Sequence, residues 1–216
     1  MTGFLKRDFS LLLPNIKFYA LIIAVFTVIG IMSDSVNSFA SLYIVLFSFV
    51  SLMNLFNYDD LNRWQGYAAA APNGRNAMVD ARYLLSALMG LVVFVLQLFI
   101  NLLSRANVVL YDFLYDPLYF FQNALLYGAL FFLYAAVILP ILFRFGGTKA
   151  RVVFVGAAAL LGAVVAIAGT LLALPAVANF LYALPPFLPA LAPFAIAALF
   201  LLSWLLSRRI MAKKEL

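Results

Sequence analysis

The chain has 216 residues, 67% of them hydrophobic and only 10% charged, with a formal net charge of +6. A soluble domain needs about a quarter charged residues to cover its surface, so the bilayer is the solvent here. With no cysteine and no histidine, disulfide and thiol chemistry are excluded, and the commonest general base and metal ligand is missing.

In chain order, residues 1–15 predict a short amphipathic helix lying on the membrane surface. Phe4, Leu5, Leu11 and Leu12 share one face, opposite Lys6, Arg7 and Ser10. Phe4, Lys6, Arg7 and Asp8 are its candidate functional positions. A membrane span needs roughly 20 apolar residues to cross about 30 Å of hydrocarbon, and such a span must be helical to satisfy its backbone. Six segments meet that requirement, at about residues 17–33, 39–58, 82–104, 118–143, 152–174 and 187–207.

The breaks between spans carry the orientation. Lys6, Arg7, Lys17, Arg63, Arg75, Arg82, Arg144, Lys149, Arg151, Arg208, Arg209, Lys213 and Lys214 fall on one side, and Arg105 alone falls on the other. Loops rich in Lys and Arg stay in the cytoplasm, so both termini are expected there. These cations flank apolar runs rather than forming one face, which points to anionic lipid headgroups and not to nucleic acid. The outer stretch 174–187 opens with Pro175 and ends with Pro185 and Pro186, with Pro189 and Pro193 just beyond, so a single continuous helix cannot cover it.

The longest cytoplasmic break, 59–81, sets Asp60, Trp64 and Tyr67 at helical spacing before a turn at Pro72, Asn73 and Gly74. A solvated loop with interfacial anchors and a docking surface both fit that pattern. The mixture of aromatics with both charge signs favours docking. Within the spans, Asn54, Gln97 and Asn101 are candidate pathway groups, although Gln97 and Asn101 also suit interhelical hydrogen bonds. No ionisable group lies at mid-membrane depth, which argues against a proton relay. Ala158, Gly162, Ala166 and Thr170 form a small-residue stripe suited to close helix contact, either within the subunit or as a dimer seam.

The opening FLKRDFSLLL, the run FNYDDLNRWQGYAAAAPNGRNAMVDARYLL and the six-span layout resemble the permease subunits of type-two ABC exporters. They are similar in particular to the small permeases of phenol-soluble modulin exporters. The likeness runs through Tyr58, Asp59, Asp60, Arg63, Trp64, Tyr67, Pro72, Arg75, Asp80, Ala81, Arg82 and Tyr83, and departs at Asp60, where Glu is usual, and at Ala71, where Leu is. It is carried by about the first 100 residues. The resemblance implies an all-α polytopic protein forming one permease domain over 1–216. The segment 59–81 would act as a cytoplasmic coupling helix, and the partner would be an identical or different permease. A separate cytoplasmic ATPase would hold ATP and Mg, since this chain has no phosphate-binding GxxxxGK[ST] loop. Asp59, Asp60, Arg63, Trp64, Tyr67, Pro72 and Arg75 would dock that ATPase. Amphipathic peptides or lipophilic molecules would be exported across the bacterial cytoplasmic membrane. The alternative is the substrate-capture subunit of a vitamin importer, which lacks such a docking motif. An intramembrane enzyme is disfavoured by the missing histidine and by the lack of a second acidic pair.

Overall fold

The computed structural model describes residues 2–32, 37–105, 117–172 and 192–214, which are helical apart from short turns. In chain order the helices are α1 (Thr2–Met32), α2 (Asn37–Leu61), α3 (Trp64–Ala70), α4 (Gly74–Arg105), α5 (Pro117–Leu172) and α6 (Ala192–Lys213). Long apolar runs without strand alternation leave the backbone no hydrogen-bond partner except itself, and no strand occurs among the described residues.

Three described helices are long and apolar enough to cross a membrane: Gly74–Asn101, Phe121–Gly147 and Pro193–Lys213. A fourth is added if the two halves of α1, Thr2–Pro14 and Lys17–Val25, count as one broken span. These match the expected third, fourth, sixth and first spans. The segments expected as second and fifth spans lie on α2 and on the later part of α5.

Three expected boundaries need correction. The surface helix does not end at residue 15. Its backbone runs on into the first span as α1, with a 52° bend between Pro14 and Lys17, because an interior proline removes a helix hydrogen bond and crowds the preceding turn. Helix α4 starts at Gly74 rather than at 82, so the end of the expected coupling segment forms the first turns of a membrane helix. Helix α6, described from Ala192, continues to Lys213, past the expected end at 207. The proline-rich stretch 174–187 lies outside the described residues.

Helix α5 contains a break. Gly146 has φ 80° and ψ 172°, a conformation open essentially to glycine alone. A side chain there would also meet Asp60, whose Oδ2 lies 2.7 Å from the position of a Cβ. At Gly147 a Cβ would come within 2.5 Å of the Asn57 backbone nitrogen. The two glycines therefore let the α5 break press against the end of α2.

Helix α5 packs on α2, α4 and α6, while α1 packs on α2 and α4. The shared core is aromatic. Phe49 stacks on Phe131 at 5.3 Å, and Phe56 meets Phe143 edge-on at 5.0 Å, a geometry that adds to area burial. Leu91, Val95, Leu201, Leu202 and Leu205 face outward, as lipid contact requires.

Candidate functional site at the charged end of the bundle

Most described charged side chains gather at one end of the bundle, where the start of α1, the end of α2, all of α3, the start of α4 and the end of α6 meet. Helix α2 stops at Leu61 and the chain reverses through Arg63, whose φ of 49° lies in the left-handed region. The turn is held by the Arg63 N–H donating to the Asp60 carbonyl and the Asn62 side chain donating to the Tyr58 carbonyl. Helix α3 ends at Ala70 and is capped by Ala71, extended at φ −74° and ψ 146°, as the residue before Pro72 must be. Asn73 at φ 57° then takes a left-handed position that asparagine tolerates.

Beneath this turn lies an ion-pair quartet. Arg7 Nη1 donates to Asp59 Oδ1 at 2.7 Å, and Arg82 Nη2 donates to Asp59 Oδ2 at 2.6 Å. Arg82 Nε sits 2.8 Å from Asp8 Oδ2, and Arg7 Nη1 reaches Asp8 Oδ1 at 3.3 Å. Two carboxylates and two guanidiniums balance in charge, and both Asp59 and Arg82 are 0% exposed. The Phe56 ring closes one face of the Arg82 guanidinium, its centroid 4.7 Å away. Such a cluster is stable only while every charge keeps its partner.

Trp64 ties α3 to this quartet. The Arg7 guanidinium lies 4.2 Å from the centroid of its ring, and Phe4 approaches edge-on at 6.4 Å. Leu61, 74% exposed, and Tyr67, 73% exposed, project outward with Arg63, and the Tyr67 ring lies 6.5 Å from that of Trp64. The end of α6 braces the arrangement from behind. Lys214 Nζ donates to Gln65 Oε1 and to the Phe143 carbonyl, both at 2.9 Å, and Arg75 donates to the Ala212 carbonyl at 3.0 Å. Burial pulls the Lys214 ammonium below its usual pKa, opposed by the Asp60 carboxylate. Deeper along α4, Asp80 accepts from Trp204 and Arg208, and the Tyr83 hydroxyl pairs with those of Ser203 and Ser207.

The expected site residues thus divide. Arg7, Asp8 and Asp59 converge, but they do so inside the protein. Asp59 is corrected from an orienting surface charge to a buried one, because two arginines claim its carboxylate. Trp64 is likewise turned inward onto Phe4 and Arg7. Arg63 and Tyr67 stay outside, Asp60 lies against Gly146, and Arg75 is engaged with α6. The candidate pathway groups bond helix to helix. Asn54 donates to the Tyr19 hydroxyl at 3.4 Å, and Gln97 and Asn101 both donate to Asn123 Oδ1, at 3.4 and 3.3 Å. The stripe Ala158, Gly162, Ala166 and Thr170 lies on α5 backbone, and its side chains lie outside the described residues. Sequence reasoning placed Arg82 and Lys214 only among the cytoplasmic cations, with Arg82 also in the family likeness, and gave no role to Gln65. For Arg82 the signal was present, since an arginine heading an apolar run needs a carboxylate, and Asp8 and Asp59 stand at the ends of two others.

These features define a helical membrane protein with a short crossing helix seated on its charged end. The chain belongs to the ABC-2 family, since the model described as ABC-2 family transporter protein matches residues 3–212. It is a permease subunit of an ABC transporter, a membrane component without catalytic activity of its own, from a family that works with an ABC ATPase. No curated protein and no solved structure matches the chain.

Proposed function

We propose that this permease exports amphipathic peptides or lipophilic molecules by alternating access, as one half of a homodimer or heterodimer with six spans per subunit in the bacterial cytoplasmic membrane. Export and the peptide cargo rest on the resemblance to phenol-soluble modulin exporter permeases. ATP and Mg are bound by separate ATPase subunits, which dock on α3. One observation supports the docking: the exposed Tyr67 of α3 stands with Leu61 and Arg63 of the preceding turn, and its ring lies 6.5 Å from that of Trp64, which touches the buried quartet. An aromatic and a cation at the centre of an exposed face are the residue types that dominate binding energy. The quartet joins α1, α2 and α4, so a force on α3 is passed to three helices at once.

The test is co-purification of the tagged chain with its ATPase in mild detergent, followed by ATP hydrolysis in proteoliposomes with and without an amphipathic helical peptide. Tyr67→Ala is expected to lower ATPase recovery by about 30-fold, the size of a strong interface position, without changing how the permease elutes. Stimulation of hydrolysis by the peptide supports the cargo class. Undiminished recovery with Tyr67→Ala would end the α3 docking assignment, and hydrolysis indifferent to every amphipathic peptide would end the cargo assignment.

A further inference from the structure

A groove of about 630 Å³ opens between α1, α2 and α4, lined by side chains that include Phe9, Ala20, Ala24, Phe47, Val92 and Phe99. Its volume falls within the roughly 300–1,000 Å³ typical of small-molecule sites, and most of its lining is apolar. The Ser48 and Ser51 hydroxyls donate to the Ile44 and Phe47 carbonyls of their own helix, and the Tyr19 hydroxyl accepts from Asn54. Among the described residues no charged side chain lines it. A peptide backbone laid there would leave its amides unpaired in hydrocarbon, at several kcal/mol per group. An acyl chain carries no such groups.

Two cations of α1 stand close in the chain to residues that line the groove. Lys17 stands three, seven and eleven residues before Ala20, Ala24 and Val28, so it heads the same face of α1 that lines the groove. Lys6 stands one turn before Phe9, which lines the groove beyond the Pro14 bend. Both lysines are exposed. A second copy seated groove to groove by two-fold symmetry would bring the same lysines together, which disfavours that occupant. We propose that this groove is a binding site for an anionic glycerophospholipid of the leaflet at the charged end, with an acyl chain between α1, α2 and α4 and its phosphate held by Lys6 and Lys17. The lipid is a resident of the transporter and is distinct from its cargo.

The chain has no cysteine, so Ala24→Cys gives a unique place for a bimane label on the groove wall, with Leu202→Cys on the outward face of α6 as the comparison. The labelled full-length protein is reconstituted in phosphatidylcholine vesicles and titrated with brominated-chain phosphatidylglycerol or brominated-chain phosphatidylcholine. Near a membrane surface each lysine favours an anionic lipid by about fivefold. Quenching at Ala24→Cys should therefore saturate at a mole fraction of phosphatidylglycerol lower by about that factor for each lysine. Lys6→Gln with Lys17→Gln should remove the preference, and the Leu202→Cys label should not distinguish the lipids. Equal curves for both lipids at Ala24→Cys would overturn the proposal. So would an unquenched label together with Ala24→Cys disulfides between copies, which would mean that a second subunit covers the groove.

Discussion

Arg82 is the residue on which the charged end turns. Its guanidinium is shut off from solvent and shared between Asp8 of α1 and Asp59 of α2. Removing one member of a buried ion pair is far costlier than the pair is worth, because the partner is left charged and dry. Arg82→Met leaves two carboxylates to Arg7 alone, and a loss of roughly 3–5 kcal/mol is expected, measurable as a lowered midpoint of denaturant unfolding in micelles. Asp8→Asn combined with Arg82→Met leaves the single pair Arg7 with Asp59, balanced in charge, so most of that loss should return. Arg63→Met serves as the control, since an exposed surface substitution usually stays within about 0.5 kcal/mol. A single Arg82→Met variant as stable as the Arg63→Met control would mean that water reaches the quartet.

Among the elements, the contact between α2 and the α5 break sets how the charged end is spaced. Gly146 combines a backbone conformation closed to side chains with an Asp60 carboxylate packed where a Cβ would go. Gly146→Ala is expected to cost about 1–3 kcal/mol for the backbone alone, and more for the collision. Asp60→Ala in the same chain should recover the collision but not the backbone cost, so a double-mutant cycle of unfolding midpoints separates the two contributions. Strict additivity would show that the carboxylate swings aside freely. This contact also marks what the sequence could convey. Apolar run lengths placed the third, fourth and sixth spans, because the bilayer forces helical structure on any such run. The spacing of Asp60, Trp64 and Tyr67 and the turn at Pro72 located the short helix α3. Neither pattern could say that Asp59 and Trp64 face inward, since that depends on Arg7 and Arg82, which lie 52 and 23 residues away from Asp59 in the chain. The Pro14 bend was read as the end of a helix for a related reason. Proline breaks a helix locally, yet here the helix runs on past it with a 52° bend.

For the whole molecule, the charge distribution of the sequence and the packing of the bundle can be set against each other. Arg7, Arg63, Arg75, Arg82, Arg208 and Lys214 were assigned to the cytoplasm by loop position alone. In the structure Arg7 and Arg82 share Asp59, Arg75 reaches the end of α6, and Lys214 reaches α3. Groups bonded to one another sit at one end of the bundle, as the expected spans require of Arg7, Arg75, Arg82 and Lys214. The direction is left to the excess of Lys and Arg, which holds a loop in the cytoplasm. With no native cysteine to interfere, Lys213→Cys and Arg63→Cys should resist a membrane-impermeant maleimide in intact cells and react once the membrane is opened. Asn107→Cys, between the third and fourth expected spans, should react in intact cells. Labelling of Lys213→Cys from outside would reverse the orientation. It would also place α3 where no cytoplasmic ATPase could reach it, because the Lys214 contact with Gln65 holds both on the same face.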